Sequence, residues 1–187
     1  MASDDLTLFS YEILGLVGRG GAGAHDLLRL ARRGRFLDWA GESQYYVEPK
    51  RLARLGYLAA RKEPGRTRER TVYALTDKGL EAMRAWAETP ARFTPLKSEP
   101  LTRLLIADLV GAEATRQGLE GLREDVAELL ERLEEASASA ELLPHRRTYL
   151  ELIIEFLRRY LALHLELVEE FDRARAPTAD PPQATER

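Results

Sequence analysis

The sequence predicts a mainly α-helical protein with one small β-hairpin, divided into two domains. Three observations lead to this prediction. Apolar residues recur at three- and four-residue steps along most of the chain, as on the buried face of a helix. Two short stretches rich in strand-forming residues flank a basic turn at residues 64–70. A segment with three prolines, residues 90–100, separates the two halves and is predicted to be a linker.

Composition limits the kinds of function to consider. The 187 residues include 32% charged and 44% hydrophobic residues, and no apolar run approaches the roughly 18 residues that span a membrane. The chain has no cysteine, which excludes disulfides and thiolate metal sites, and the acidic start MASDDLTLFS is unlike a signal peptide. We therefore expect a cytoplasmic protein with no membrane partner.

Charge is unevenly distributed between the two halves. Residues 1–97 contain 17 Lys and Arg against 12 Asp and Glu, whereas residues 98–187 contain 11 against 19. A basic front half indicates a polyanionic partner, although chance variation along the chain also produces such asymmetry.

The front half begins with two predicted helices. The spacing of Phe9, Ile13, Leu16 and Val17 fits one face of a helix over residues 6–17. A second helix is expected over residues 24–33, after a glycine-rich turn.

Residues 43–58, SQYYVEPKRLARLGYL, predict a short basic helix around which the front half is organised. Ser43 is expected to cap its start through the hydroxyl, and Gly56 to end it. Val47, Leu52 and Leu55 fit an inward face. The outward residues are then Gln44, Tyr45, Lys50, Arg51 and Arg54. Such a helix suits a DNA major groove, but the same pattern also fits a surface helix with solvated cations.

After Gly56 the pattern changes from helix to strand. Residues 58–63 and 71–75 predict two strands joined by PGRTRER. Arg66, Arg68 and Arg70 recur at every second position, so an extended tip would present them on one side, suited to phosphate oxygens or a minor groove. The alternative is a solvated hairpin tip.

Thr76 is predicted to cap a further helix that ends near Glu88. Helix, helix, helix, hairpin, helix is the order of a winged helix-turn-helix, here residues 1–89.

The back half predicts a helical domain, residues 101–175, followed by a disordered tail, residues 176–187. A short helical element covers residues 101–109, and a long helix carries a near-heptad seam that ends at ASASAELLP. The last helix carries a long apolar stripe. These helices bury their stripes poorly alone, so we expect them to pack against each other, against the first domain or against a second copy, with a bundle inside one chain as the alternative. The residues predicted for dimerisation are Leu150, Ile153, Ile154, Leu157, Leu161, Leu165 and Val168.

Four segments of the chain occur in a familiar order. They are LFSYEILGLV, SQYYVEPKRLARLGYL, RTVYALTDKGLEAMRAW and PLKSEPLTRLLIADL. Through these segments the sequence resembles the PadR family of bacterial transcriptional regulators, in the branch with a long helical, Vir-type C-terminal domain. The resemblance covers roughly residues 6–172.

The resemblance implies a sequence-specific DNA-binding regulator with no enzymatic activity, usually a repressor. It further implies a homodimer on double-stranded DNA with a pseudo-palindromic operator, often released by a small aromatic or drug-like ligand. The resemblance implies DNA contact or helix positioning for Gln44, Tyr46, Lys50 and Arg51, and DNA contacts for Arg66 and Arg68 of the wing, which is the hairpin of residues 58–75. The full set predicted for DNA binding from the residue pattern adds Ser43, Tyr45, Arg54 and Arg70.

Pro49 departs from the family pattern, because many members have an apolar residue at this position. A proline inside a helix removes the backbone bond to the carbonyl four residues earlier, here Tyr45, and costs ~3 kcal/mol. The third helix is therefore expected either to be kinked or to begin near Glu48.

Two alternatives to the regulator remain. One is a winged-helix protein-interaction module that does not bind DNA. The other, more remote, is a nucleotide-binding enzyme, because GRGGAG at residues 18–23 matches G-x-G-x-x-G. That site needs a strand before the glycines and a helix after them, and no strand–helix–strand pattern follows. We expect no cofactor and no metal site.

Trp86 is the candidate ligand-binding residue. If its helix lies at a dimer interface, the indole could line a site for a flat ligand by stacking. The alternative is a tryptophan that only packs in the core or in the interface.

Overall fold

The computed structural model describes residues 6–33, 40–64, 69–140 and 143–175. The chain divides into two compact units, with the boundary between Thr94 and Pro95, inside the predicted linker. The described helices and strands are α1 (Leu8–Val17), β1 (Ala22–Gly23), α2 (Ala24–Arg33), α3 (Gln44–Arg54), β2 (Leu58–Glu63), β3 (Arg70–Leu75), α4 (Asp77–Ala87), α5 (Glu99–Leu105), α6 (Ala107–Val110), α7 (Ala112–Ala140) and α8 (Arg147–Arg175).

The helix α1 begins two residues later than predicted, at a reciprocal capping arrangement. The backbone N–H of Ser10 donates to Thr7 Oγ1 at 3.2 Å, and the backbone N–H of Thr7 donates to Ser10 Oγ at 2.9 Å. The helix α2 has the predicted bounds. The N-cap of α4 is also confirmed, because Thr76 Oγ1 accepts from the backbone N–H of Gly79 at 3.1 Å.

The sheet has three antiparallel strands in the order β1-β3-β2. The hairpin of β2 and β3 is confirmed, with a register from Leu58 opposite Leu75 to Glu63 opposite Arg70. The short strand β1 was not predicted. It pairs with β3 directly after Gly21, whose φ is 75° and whose missing Cβ would lie 2.9 Å from the Tyr73 carbonyl oxygen.

These glycines do not fit a dinucleotide site. The segment before them is the helix α1, not a strand, and the strand β1 lies within the glycine-rich segment itself. The nucleotide-binding alternative is therefore wrong for this segment, and the predicted sharp turn between two helices is confirmed.

The core of the first unit forms where the three N-terminal helices meet the sheet. Its fully buried side chains include Ile13 and Leu14 of α1, Leu27 of α2, and Tyr45 and Leu52 of α3. Burial of these side chains fixes which face of α3 is turned inward.

In the second unit, α7 and α8 form an antiparallel pair. Arg158 lies 2.8 Å from Glu134 toward one end, and Arg123 lies 3.4 Å from Asp172 toward the other. The helix α7 ends at Ala140, inside ASASAELLP as predicted, although it continues through the first five residues of that segment. Alanine is the strongest helix former, and it outweighs the interspersed serines here. The predicted element at 101–109 is two helices, α5 and α6, that meet at Ile106.

The buried seam of α8 corrects the predicted dimerisation residues. Ile154, Leu161 and Val168 are buried within one chain, as are the residues of α7 that share the seam, Leu119, Val126, Leu129 and Leu133. Leu150, Leu157 and Leu165 are half-buried beside them. The assignment of the buried residues to a dimer face is wrong, because α7 already covers them. Ile153 lies on a different, exposed face.

Within the described ranges, no helix combines the length and the apolar character needed to cross a bilayer. In the same ranges no cluster of three or more metal-ligating side chains occurs. The predicted tail, residues 176–187, lies outside the described residues.

Candidate nucleic-acid interface

One face of α3 is anchored in the core by aromatic packing. Tyr45 is 0% exposed, and its ring meets that of Phe9 edge-on, with 5.2 Å between centroids and 86° between planes. Its hydroxyl donates to Glu12 Oε1 at 3.4 Å. The predicted DNA contact of Tyr45 is therefore wrong, because the side chain points into the core. Tyr46 is half-buried and packs against the same core.

A buried ionic network fastens the same face to α1. Ser10 Oγ donates to Glu48 Oε1 at 2.7 Å. Arg51 approaches the same carboxylate with two donors, Nε to Oε2 at 2.8 Å and Nη2 to Oε1 at 2.7 Å. The Nη2 group also donates to Ser10 Oγ at 3.1 Å. This two-pronged arginine–carboxylate contact has fixed geometry as well as strength.

The network keeps the buried carboxylate charged. Burial by itself would raise the pKa of Glu48, but the hydrogen bonds from Arg51 and Ser10, together with the charge of Arg51, bring that pKa below its ordinary value. Arg51 was predicted to contact DNA or to position the helix. Its three donated bonds favour the positioning role, because two of its nitrogen atoms are already engaged inside the protein.

The opposite face of α3 is exposed and carries the remaining candidates. Ser43, Gln44, Lys50 and Arg54 all lie on the surface. Within the described ranges neither Lys50 nor Arg54 forms an ion pair. Both cations therefore keep their charge available to an outside partner.

Val47 lies on this exposed face, and the prediction that it points inward is wrong. It is 58% exposed. At about 100° per residue, burying Tyr45, Glu48 and Leu52 turns Val47 outward, next to Gln44 and Lys50. The predicted set of inward residues left out Tyr45 and Glu48. The predicted inward face was therefore displaced around the helix axis from the observed one.

The helix α3 begins directly after Ser43, as predicted, but without the predicted capping bond from the hydroxyl. Ser43 has helical φ and ψ, −57° and −30°, and its side chain makes no capping bond. The chain enters through a backbone turn, in which the Gly41 carbonyl accepts from the N–H of Gln44 at 2.9 Å. The predicted cap is wrong, because this turn already takes up the first N–H of the helix.

Pro49 lies inside α3 and not in its first turn. The helix begins at Gln44, so the predicted start near Glu48 is wrong. Pro49 is fully buried on the anchored face, where its ring adds to the core.

The end of α3 follows the sequence prediction. Gly56 has a φ of 81°, its N–H donates to the Ala53 carbonyl at 3.0 Å, and the N–H of Tyr57 donates to the Leu52 carbonyl at 2.9 Å. These two bonds define the glycine-ended motif that closes many helices. The chain then enters β2 directly.

The wing is described only at its base. Arg66 and Arg68 lie outside the described residues. Arg70 is tied down by two carboxylates, Asp26 Oδ2 of α2 at 3.3 Å and Glu63 Oε2 of β2 at 3.5 Å. These contacts join the wing to α2 and partly neutralise Arg70, which weakens its candidacy as a DNA contact.

Trp86 of α4 stacks on Tyr11 of α1, with ring centroids 4.5 Å apart and planes 11° apart. Trp86 remains 40% exposed. The hydroxyl of Tyr11 is buried without a hydrogen-bond partner. Burial, and then the neighbouring Tyr57, raise the pKa of Tyr11, so its hydroxyl stays protonated. The indole is held in place on one side and is open to solvent over part of its surface.

Comparison with solved structures shows the same fold in bacterial proteins. Bacillus subtilis PadR in complex with operator DNA matches with a TM-score of 0.66 and 19% identity, over 89% of this chain and 100% of that chain. Streptococcus mutans smu.1604c matches with a TM-score of 0.75 and 18% identity, over 89% and 98%. Bacillus subtilis PadR in complex with p-coumaric acid matches with a TM-score of 0.60 and 20% identity, over 89% and 99%.

Neither protein-family models nor curated protein sequences gave a match. The likeness is therefore one of fold. The chain has the winged-helix fold of the PadR-like transcriptional regulators, and the resemblance seen in its sequence is confirmed at that level.

Proposed function

We propose that this protein is a sequence-specific DNA-binding transcriptional regulator that inserts the exposed face of α3 into the major groove. The observation that carries the proposal is the division of α3 into two faces. One face is fixed to α1 by Tyr45 and by the network of Glu48 and Arg51, and the other presents Gln44, Lys50 and Arg54.

This division suits base recognition physically. A reading helix must be held rigidly, because hydrogen bonds to base edges tolerate little displacement. The amide of Gln44 can pair with adenine, and Lys50 with guanine or a phosphate. Arg54, one turn further on, is suited to the phosphate backbone, which supplies most of the affinity.

The test is a fluorescence-anisotropy titration of the duplex from upstream of the protein's own gene, beside a random duplex, each at two salt concentrations. The proposal predicts tighter binding to the upstream duplex and a steep loss of affinity with salt. Equal, weak binding to both would place the operator elsewhere in the genome. No binding at low salt would refute the proposal and favour the protein-interaction module.

We further propose that the protein acts as a homodimer through an outer stripe on α8, formed by Tyr149, Leu152, Ile153, Phe156 and Leu163. All five side chains are exposed, and Phe156 is 66% exposed. The stripe extends along about 20 Å of helix at 1.5 Å per residue. An apolar strip of this length is unusual on a free surface, and a second copy offers the same strip in a two-fold contact. A pseudo-palindromic operator would match that symmetry.

A small-molecule effector is the third part of the proposal, with repression as the mode of regulation. The partly exposed Trp86, held by its stack on Tyr11, offers an aromatic surface for a flat ligand. The structure of Bacillus subtilis PadR with p-coumaric acid supports testing a phenolic acid first. Titration with p-coumaric acid should quench the tryptophan fluorescence and weaken DNA binding, and Trp86→Phe should reduce both effects. Quenching without any change in DNA affinity would contradict the effector role.

A further inference from the structure

Val47 is an apolar side chain in the middle of an otherwise polar and basic face of α3. It is 58% exposed, on the side opposite Tyr45 and Leu52, which are fully buried. A valine branched at Cβ is also a weaker helix former than most residues. Neither packing in the core nor local preference therefore accounts for Val47. Single exposed apolar residues are common, so its neighbours must supply the argument.

Those neighbours place Val47 where a helix would meet base edges. Gln44 lies three residues before it and Lys50 three residues after, so the three side chains are adjacent on the exposed surface. Gln and Lys pair with adenine and guanine through hydrogen bonds. A valine can do neither, and its methyl groups complement the 5-methyl group of thymine, the apolar group of the major groove.

The stiffness of valine strengthens this match. In a helix its side chain adopts one rotamer almost exclusively, so both methyl groups are held at a defined position on α3. The network of Ser10, Glu48 and Arg51 fixes α3 itself. Little conformational entropy is then lost when the side chain meets a base.

We propose that Val47 reads the 5-methyl group of one thymine in each half-site of the DNA that this protein binds. The inference rests on the proposed function and adds a named base contact to it. Specificity at that position would come from shape and apolar contact, with no hydrogen bond between the side chain and the base.

The experiment compares thymine with uracil, which differs only in lacking the 5-methyl group. A preferred duplex is first selected from a random pool with the wild-type protein. Each thymine is then replaced by uracil, and the affinity is measured by fluorescence anisotropy. Uracil at one position of a half-site should weaken binding about fourfold, which corresponds to ~0.8 kcal/mol for one buried methyl-sized group. The same change in both half-sites should weaken it about fifteenfold.

Variants of the protein identify the side chain responsible. Val47→Ala should bind the thymine and uracil duplexes equally. Leu8→Ala is the matched control, because Leu8 is an apolar residue of α1 that is 54% exposed, and it should keep the fourfold difference. Val47→Ala leaves the core packing intact, so its thermal unfolding should match that of the wild type or lie above it.

Two results would overturn the inference but leave the proposed function standing. One is a selected duplex in which replacing any thymine by uracil leaves the affinity unchanged. The other is a loss of affinity on uracil substitution that is as large in Val47→Ala as in the wild type. A pool from which no duplex is enriched, together with binding that does not depend on salt, would refute the proposed function and the inference with it.

Discussion

The substitution Glu48→Gln tests whether the buried network holds α3 against α1. The Glu48 carboxylate accepts three hydrogen bonds, from Ser10 Oγ and from Arg51 Nε and Nη2, at 2.7–2.8 Å. The glutamine amide has the same shape as the carboxylate but carries no charge. It therefore loses the ionic part of the two bonds from Arg51 and places its NH₂ group against a hydrogen-bond donor. Breaking one side of a buried pair costs about 3–5 kcal/mol. The Arg51 side chain keeps 28% exposure and can turn to water, so we expect about 2–3 kcal/mol.

The assay is urea unfolding followed by tryptophan fluorescence. Both tryptophans, Trp39 and Trp86, belong to residues 1–94, so the signal reports on the first unit alone. The matched control is Glu42→Gln. Glu42 pairs with Arg32 at 3.0 Å, but both side chains are about half-exposed, and such pairs contribute under about 1 kcal/mol.

The pH dependence of unfolding supplies a second readout. The pKa of Glu48 is lowered in the folded protein, so its contribution is complete above the ordinary value of glutamate, about 4.3, and is lost as the pH falls through the lowered pKa. The stability difference between wild type and Glu48→Gln should therefore be constant near neutral pH and should shrink on acidification below about pH 4.3. The reasoning would be refuted if Glu48→Gln lowered the free energy of unfolding no more than Glu42→Gln does, and if that difference from the wild type did not depend on pH.

Two further predictions concern packing and assembly. Gly79→Ala should destabilise the first unit by about 1–3 kcal/mol, because the added Cβ would overlap the Tyr57 carbonyl oxygen. The control is Gly15→Ala in α1, whose added Cβ meets nothing within 4 Å, so it should be neutral or stabilising by up to ~1 kcal/mol. The same urea titration measures both variants, and equal effects would contradict the described packing. Phe156→Glu should convert the dimer to monomer in sedimentation experiments. The control is Ala162→Glu, at an exposed position of the same helix, which should leave the dimer intact. A wild type that is already monomeric would contradict the dimer proposal.

Local rules predicted the elements of the first unit well. The glycine that ends α3, the Thr76 cap and the two strands of the hairpin each depend on residues close together in sequence, so patterns of a few residues identify them. The strand β1 was missed because two residues carry no periodicity. Its pairing depends on β3, about fifty residues away.

The orientation of α3 was mispredicted for a related reason. A helix of eleven residues with two tyrosines and one valine allows two inward faces, and the apolar pattern favoured Val47. The structure instead buries the charged Glu48, which is possible because Ser10, 38 residues earlier, and Arg51 satisfy its oxygen atoms. No short-range pattern contains Ser10. The ion pair of Glu48 with Arg51 was not predicted, although residues three apart in a helix are neighbours on one side of it.

Three of the residues predicted for dimerisation, Ile154, Leu161 and Val168, were assigned to the wrong face because α8 carries two apolar stripes. Ile154 and Leu161 face α7, whereas Ile153 and Phe156 lie on the exposed side. Hydrophobic periodicity shows that a helix has partners, but it does not assign a partner to each stripe.

The central claim is that the exposed face of α3 holds the DNA, and a paired charge-removal experiment tests it most directly. Lys50→Ala with Arg54→Ala removes two cations of that face, and Arg92→Ala with Lys97→Ala removes two exposed cations elsewhere that form no ion pair in the described ranges. The affinity for the preferred duplex is measured by anisotropy over a series of salt concentrations. We predict that the α3 variant binds more weakly and that its salt slope falls by about 0.9 for each phosphate that the protein no longer neutralises, while the control keeps the wild-type slope. Equal salt slopes and affinities for the two variants would contradict the account.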